Sequence, residues 1–501
     1  MNRATRKALT GTALAGIGLA AVCAVLLQRQ AANQLQPKIT SAVDVAEAPY
    51  AKVPEWSASY ANSRALGLAL ADLDGDGFDD MIVANGGDVV TQHVIAYRND
   101  GQGTFSKEPF WVSADQAFHS NVAVGDIDGD GWNDVVVSVG LGNKGNPENG
   151  WVKAYFNRHG TLEALPSYQS ERGFSSPAVA LADIDGDGDL DLAASVALTT
   201  GNHAGPAARF YRNLGGSLQT EPYWQARAPW AGFGLGFADL DGDGLLDFAV
   251  SGPHASAYLA EEDASSIRMP EQPSWQSSGD YYTGTYLELG PVGDPKRFPL
   301  PALAIAYSGC GLTHGKSARA AYRPMLAPAP IFLVGLEPCP SSLLIADVTA
   351  DGFPDLVAGS WQVGGAGSPL LIYPGNRGGF ADTASYSSSV TPVAEAMALS
   401  DLRRRKLVEK TESFTIETRR AIVTLSRARV QAIKQVARNG KLLARGEYVS
   451  VPGRNWVSFA KRLQPGEEVR VDYQYSDSLD LAVASFGSSE APGGAMVFYH
   501  R

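Results

Sequence analysis

Apolar and polar positions alternate in short runs along most of this chain, and acidic, glycine-rich turns break the runs. One phrase recurs. Residues 68–84 read LALADLDGDGFDDMIVA, 122–137 read VAVGDIDGDGWNDVVV, 179–194 read VALADIDGDGDLDLAA and 235–250 read LGFADLDGDGLLDFAV. Period-two alternation predicts a strand entering each acidic turn and a second strand leaving it. The first aspartates, Asp72, Asp126, Asp183 and Asp239, are spaced by 54, 57 and 56 residues. The phrase then decays while its period persists. LLIADVTADGFPDLVA (343–358) starts a loop at Asp347, and AMALSDLRRRK starts one at Asp401. Between Asp239 and Asp347 lies LELGPVGDPKRFPLPALAIA (287–306), a unit centred on Pro291 that has lost most of its acids. After each loop come a Gly/Asn-rich connection, an aromatic strand (AYRN 96–99, AYFN 154–157, FYRN 210–213) and a Pro-x-aromatic segment (PFW 109–111, PSY 166–168, PYW 222–224, PSW 273–275).

Four short strands per repeat of this length predict a β-propeller with one unit per blade, seven in all. The repeat region opens on VPEW (53–56), a fourth-strand segment, and closes on MVFYHR (496–501), a third-strand segment. The reading predicts that Ala51–Ser57 pairs beside Ala495–His500, which closes the ring and removes an exposed edge.

These residues resemble the FG-GAP/VCBS repeat proteins, whose best-known members are the integrin α-subunit propellers. The resemblance covers about 50–401 and 477–501. It implies an all-β, seven-bladed propeller whose D-x-D-G-D-G-x-x-D loops hold metal. The chemistry agrees: carboxylates at positions 1, 3, 5 and 9, a turn glycine at 6 and a carbonyl at 7 make a hard-oxygen cage suited to calcium. The cages comprise Asp72, Asp74, Asp76, Phe78 and Asp80; Asp126, Asp128, Asp130, Trp132 and Asp134; Asp183, Asp185, Asp187, Asp189 and Asp191; and Asp239, Asp241, Asp243, Leu245 and Asp247. About four structural calcium ions follow. Asp347, Thr349, Asp351 and Asp355 form a degraded, weaker site, and the loops at Pro291 and Asp401 are expected to hold none.

Composition adds a division. The whole chain of 501 residues carries a formal net charge of −12. From Arg403 to Tyr475 there are 17 Lys/Arg against 7 Asp/Glu, which leaves 24 against 46 elsewhere. The acidic body excludes a general nucleic-acid binder. The basic segment alternates as a β domain, with Asn439-Gly440 as a hairpin turn. It reads as a small β-sandwich (403–476) inserted in the last blade, and 436–473 is similar to Ig-like modules of bacterial surface and phage-tail proteins. Arg403, Arg404, Arg405 and Lys406 at its root are expected to meet an anionic polymer, a lipid headgroup or the propeller.

At the N-terminus, Arg3, Arg6 and Lys7 precede an uncharged run from Ala8 to Leu27. Twenty residues at about 1.5 Å each match a bilayer core. The expected layout is a cytoplasmic 1–7, a transmembrane signal anchor at 8–27, a juxtamembrane linker at 28–49, and a periplasmic or extracellular bulk. The alternative is a protein secreted after signal cleavage. Of the three cysteines, Cys310 and Cys339 are candidates for a disulfide. On the face opposite the acidic loops, Tyr60, Arg64, Phe118, His119, Phe174, Trp230, Tyr281 and Tyr282 are candidate ligand contacts. No catalytic motif is found, so the expectation is a non-enzymatic binding or adhesion scaffold for an extracytoplasmic protein or glycan. The alternatives are a carbohydrate-binding or polysaccharide-processing propeller (lectin, lyase or hydrolase) and a structural subunit of a cell-envelope complex.

Overall fold

The computed structural model describes residues 48–501, except for 61–62, 88, 141–149, 200–204, 229, 264–265, 280–282, 309–316, 326, 336–338, 362–367, 390–392 and 488–492. Residues 8–27, Cys310, Tyr281 and Tyr282 lie outside the described residues. Among the described residues no helix is long and apolar enough to cross a membrane.

The fold is all-β. Seven four-stranded antiparallel sheets follow one another along the chain. Their first strands are Ala65–Ala71, His119–Gly125, Val179–Ala182, Leu235–Ala238, Thr283–Gly290, Cys339–Ala346 and Val393–Ser400. These sheets are numbered 1 to 7 below. In sheets 1–4 and 6 the acidic turn joins the first strand to a second, buried one, such as Asp80–Asn85 and Asp134–Val139; sheet 5 has a Pro-rich turn there and sheet 7 the inserted segment. Covered on both faces, these second strands are continuous apolar runs (MIVA, VVVS) rather than alternating ones.

The first strands touch in a cycle. Each packs on the first strand of the next sheet, and Val393–Ser400 packs back on Ala65–Ala71. The approach is close enough to require glycine: a β-carbon at Gly67 would lie 2.7 Å from Asn121 Cα of sheet 2. The result is a propeller-like arrangement with hydrophobic clusters between neighbouring sheets.

Sheet 7 is composite. Its strands run in the order Val393–Ser400, Asp480–Phe486, Gly494–Phe498 and Trp56–Ser57, with Trp56 opposite Val497 and Ser57 opposite Met496. Tyr50 bridges His500. The outer strand thus comes from the beginning of the described chain and the other three from its end. Trp56 is buried, stacks edge-on against Tyr97 and donates its indole N–H to the Phe105 carbonyl at 2.7 Å.

Residues 407–476 form two further sheets. One contains Leu407–Thr415, Glu468–Ser476, Val430–Arg438 and Lys441–Leu442; the other contains Arg420–Thr424, Trp456–Leu463 and Tyr448–Val449. They enclose their own core of Val423, Val436, Val457, Phe459, Leu463, Val469, Val471 and Tyr473. Cys339 is buried and disulfide-bonded.

Trp56→Ala should destabilise the protein by about 3–5 kcal/mol, the usual cost of emptying a buried tryptophan site. Urea unfolding with calcium present measures it; an unchanged midpoint would mean that the outer strand of sheet 7 does not secure the fold.

Candidate metal centres

Each acidic loop is built by backbone donors closing on aspartate side chains. At position 1, Asp72 accepts the Gly75 and Gly77 N–H groups at 2.7 and 2.9 Å, and Asp239 accepts those of Gly242 and Gly244 at 2.7 and 3.0 Å. At position 5, Asp76, Asp130, Asp187 and Asp243 accept the N–H of position 7 at 2.8–3.0 Å, which fixes the turn. Position 9 is fully buried in all four loops. There Asp80 accepts Leu73 N–H and Asn99 N–H, Asp134 accepts Ile127 and Asn157, Asp191 accepts Ile184 and Asn213, and Asp247 accepts Leu240 and Ala260. One acid therefore pins the loop to the end of the third strand.

The structure brings positions 1, 3 and 9 together. In Asp72/Asp74/Asp80, Asp126/Asp128/Asp134, Asp183/Asp185/Asp191 and Asp239/Asp241/Asp247, one oxygen from each residue lies within 4.8 Å of the other two. Ligand bonds of about 2.3–2.6 Å around a calcium ion put its oxygens at most about 5 Å apart. Asp76, Asp130, Asp187 and Asp243 stand outside these triads. Phe78, Trp132 and Leu245 follow the turn at position 7. Asp189, at the same place in loop 3, accepts Gly215 N–H at 3.0 Å from the adjoining hairpin.

The electrostatics call for a cation. Burial, with the neighbouring carboxylates adding, raises Asp80, Asp134 and Asp183 to about 7 and Asp247 to about 8, against an ordinary 3.8. Asp191 is pushed well up for the same reasons. Arg98 pairs with Asp74 at 2.7 Å, Arg212 with Asp185 at 2.8 Å, and Arg158 with Asp128. Each offsets one charge of a loop with at least four acids. Asp126 Oδ1, Asp183 Oδ1 and Asp185 Oδ1 are buried without a hydrogen-bond partner. Unpaired buried carboxylate oxygens are costly, and an oxygen-seeking cation would satisfy them. The residues present therefore fit such an ion.

Three loops depart from the pattern. In sheet 6, Thr349 replaces the position-3 acid and donates its hydroxyl to Asp355 at 3.0 Å, while Asp351 N–H and Gly352 N–H bind Asp347. In sheet 5 the residues around Pro291 supply no acid triad among the described residues. In sheet 7 the insert separates Asp401 from the second strand, which the sequence pattern places at 479–485 and the structure at Asp480–Phe486; its first residue, Asp480, is the displaced position-9 acid. Arg403, at position 3, forms two hydrogen bonds to Asp480 at 2.6 and 3.3 Å, so a guanidinium supplies the cation. The signal was present, since SLDLAVAS (478–485) repeats DLDLAAS (189–195).

The root cluster meets the propeller. Arg403 also lies over the Tyr499 ring, Arg404 lies over Phe78, and the Arg405 and Lys406 N–H groups bind Asp401 at 3.1 Å. The asparagines of AYRN, AYFN and FYRN were another missed role. Asn99, Asn157 and Asn213 are fully buried, and each donates its amide to a carbonyl of the preceding sheet: Leu402, Leu73 and Ile127.

The candidate ligand face is only partly open. Phe174 and His119 are fully buried, Phe174 in the core beneath the Arg209 guanidinium and His119 against the Asn85 carbonyl at 3.0 Å. Neither is available for recognition, because the aromatic packing that made them stand out in sequence serves the interior. Tyr60, Arg64, Phe118 and Trp230 are half-buried. Arg64 lies over Phe486, and Trp230 packs on the core of sheets 3 and 4.

Carboxylates raised in the folded state hold protons there that they would lose on unfolding. Between about 4 and about 8 the unfolded chain therefore binds fewer protons, and stability of the metal-free protein should fall as pH rises through that window. Calorimetric melting of dialysed, chelator-stripped protein at several pH values checks the sign. Saturating calcium should remove the fall.

Residues 57–137 match the FG-GAP-like repeat family, a stretch running from the outer strand of sheet 7 through the first two aspartate loops. No curated protein matches the chain. By that match and by the loops that repeat its grammar at Asp183 and Asp239, the chain carries FG-GAP-like repeats.

Proposed function

We propose that the protein is a calcium-stabilised, seven-bladed β-propeller that serves as a membrane-anchored, extracytoplasmic binding or adhesion scaffold, similar to the integrin α propellers. Sheets 1 to 7 are its blades, and 403–476 is a small Ig-like domain inserted in the last. The observation that carries the reading is the set of four aspartate triads at equivalent hairpin tips of consecutive sheets. Their ligand chemistry is all oxygen and all carboxylate, the choice of a hard cation. The ions are structural. Every position-9 acid is tied by two backbone N–H groups, so the loops are built to hold a shape and carry no nucleophile or general base poised for a substrate. Residues 8–27 serve as the anchor and put the bulk in a calcium-rich compartment.

A second reading draws on one feature. A groove of about 590 Å³ runs along the outer edge of sheet 3, lined by Tyr223, Gln225, Arg227 and Glu271. An exposed aromatic ring beside hydrogen-bonding side chains suits a sugar ring, which favours a glycan as the partner over a bare protein surface.

At ten times the dissociation constant each ion adds about 1.4 kcal/mol, so four add about 5–6. Titration calorimetry should count four ions, and Asp134→Ala or Asp247→Ala should each remove one. Chelation should lower the melting temperature by many degrees; a melting temperature indifferent to calcium would refute the proposal. A glycan array probed with the intact protein and with Tyr223→Ala separates the partner classes, since signal lost in the variant assigns the groove to carbohydrate.

A further inference from the structure

The basic insert does not stand away from the aspartate loops. It lies on all four loops that hold a triad. The glycine at position 6 of each loop faces a residue of the 403–476 segment: Gly77 faces Arg404, Gly131 Arg445, Gly188 Ala460 and Gly244 Arg420. A β-carbon at any of these glycines would press on that residue. The equivalent glycine of sheet 6, Gly352, has nothing within 4 Å of such a carbon. Backbone bonds accompany the contacts. Ala421 and Ile422 N–H both bind the Gly244 carbonyl at 2.9 and 3.1 Å, and Arg445 binds the Asp130 carbonyl at 3.2 Å.

Loop 3 is gripped most closely, by one strand, Trp456–Leu463. Its side chains alternate between two cores. Val457, Phe459 and Leu463 fill the insert's own interior. Trp456, Ser458, Ala460 and Arg462 face the propeller. Trp456 joins the core of sheets 3 and 4. Arg462 clamps the loop backbone, donating to the Gly186 and Asp185 carbonyls at 2.5 and 3.0 Å. Ser458, fully buried, donates its hydroxyl to Asp183 Oδ2 at 2.7 Å. Asp183 is only 2% exposed, and its other oxygen, with Asp185 Oδ1, is left buried and without a partner. No other triad carries two such oxygens among the described residues.

We propose that the inserted domain is a cap whose docking is coupled to cation loading of loops 1–4, and that Ser458 is a positioning residue of the third site, contributed across the domain boundary. The proposal rests on the calcium reading above. An ion in loop 3 satisfies Asp183 Oδ1 and Asp185 Oδ1. Ser458 holds the remaining Asp183 oxygen in place, and the strand closes the route to water. Without ions the four loops lose the shape that the insert rests on, and the cap loosens. By reciprocity the docked cap tightens the binding of the ion beneath it, and the covering strand slows its escape.

The test uses the full chain loaded with calcium. Rapid mixing with an excess of a chelating dye should release the ions in two phases, with one ion in four leaving slowly. Ser458→Ala should speed that phase roughly tenfold or more, the effect of losing a hydrogen bond to a charged group, and leave the count of ions at four. Lys441→Ala, on the exposed hairpin of the same domain, should leave the slow phase unchanged. Hydrogen exchange in the unmodified protein should rise across 403–476 when calcium is removed. Release of four ions in one phase, with 403–476 equally protected with and without calcium, overturns the cap alone. Failure to bind calcium at all overturns the calcium reading and the cap with it.

Discussion

Three carboxylates held within 4.8 Å of one another repel strongly once they are taken out of water, and the hairpins of sheets 1–4 hold them there by design of the backbone. The loop N–H groups favour the charged form of the acids they reach, but burial outweighs them and holds the position-9 acids above the ordinary carboxylate range. These donors cannot cancel an acid's charge, because a backbone dipole brings no net positive. An arginine on position 3 removes one unit in loops 1–3, and loop 4 has no such ion pair among the described residues. What remains at each of the four triads is a net negative charge that a cation could offset. Sheet 7 gives the control within the same molecule. There the insert interrupts the loop, Asp480 keeps its place at the start of the second strand, and the Arg403 guanidinium pairs with it directly.

That charge matters beyond the loops because position 9 is also the joint of each sheet. Asp80 receives Asn99 N–H, and the Asn99 amide reaches the Leu402 carbonyl of sheet 7; Asp134, Asn157 and Leu73 repeat the chain one sheet on, as do Asp191, Asn213 and Ile127. Loop, third strand and preceding sheet are thus joined in series. An unneutralised acid at position 9 would strain the contact between sheets as well as its own hairpin. This is why the metal and the sheet-to-sheet packing belong to one stability problem, and why a protonated, metal-free state is a physically distinct alternative to the loaded one.

The strands, the turn positions and the outer strand of sheet 7 were legible because they are local patterns repeated at a fixed period. VPEW and MVFYHR could be matched across the chain since each kept the grammar of its strand class. What was not legible depends on contacts between residues far apart. Ser458 and Asp183 are 275 positions apart. Nothing in NWVSFAKR distinguishes its even positions as facing another domain, since an alternating strand reads the same whatever covers its second face. The strand holding Asp480 was legible across the insert, but its role as the position-9 acid was not, because the insert separates it from Asp401, although its neighbours copy those of Asp191. Phe174 and His119 stood out by residue type, which carries no information on burial when aromatic rings are also the filler between sheets.

The segregation of charge takes on a mechanical meaning in this arrangement. The insert's basic residues include Arg403, Arg404, Arg420, Arg445 and Arg462, and these lie at the loops rather than on a free face. Arg462 and Arg419 also meet Glu262, and Arg429 meets Glu288 at 2.5 Å. Two of the loop contacts, those of Arg445 and Arg462, are to backbone carbonyls rather than to the ligand carboxylates. Propeller arginines already pair with the position-3 acid in loops 1–3, and the insert's Arg445 and Arg462, placed on carbonyls, brace the loops from outside without adding a further guanidinium to the triads. The domain is therefore positioned to cooperate with a cation instead of replacing it. Arg403, bonded directly to Asp480, is the contrasting case in which the insert's own guanidinium sits on the acid.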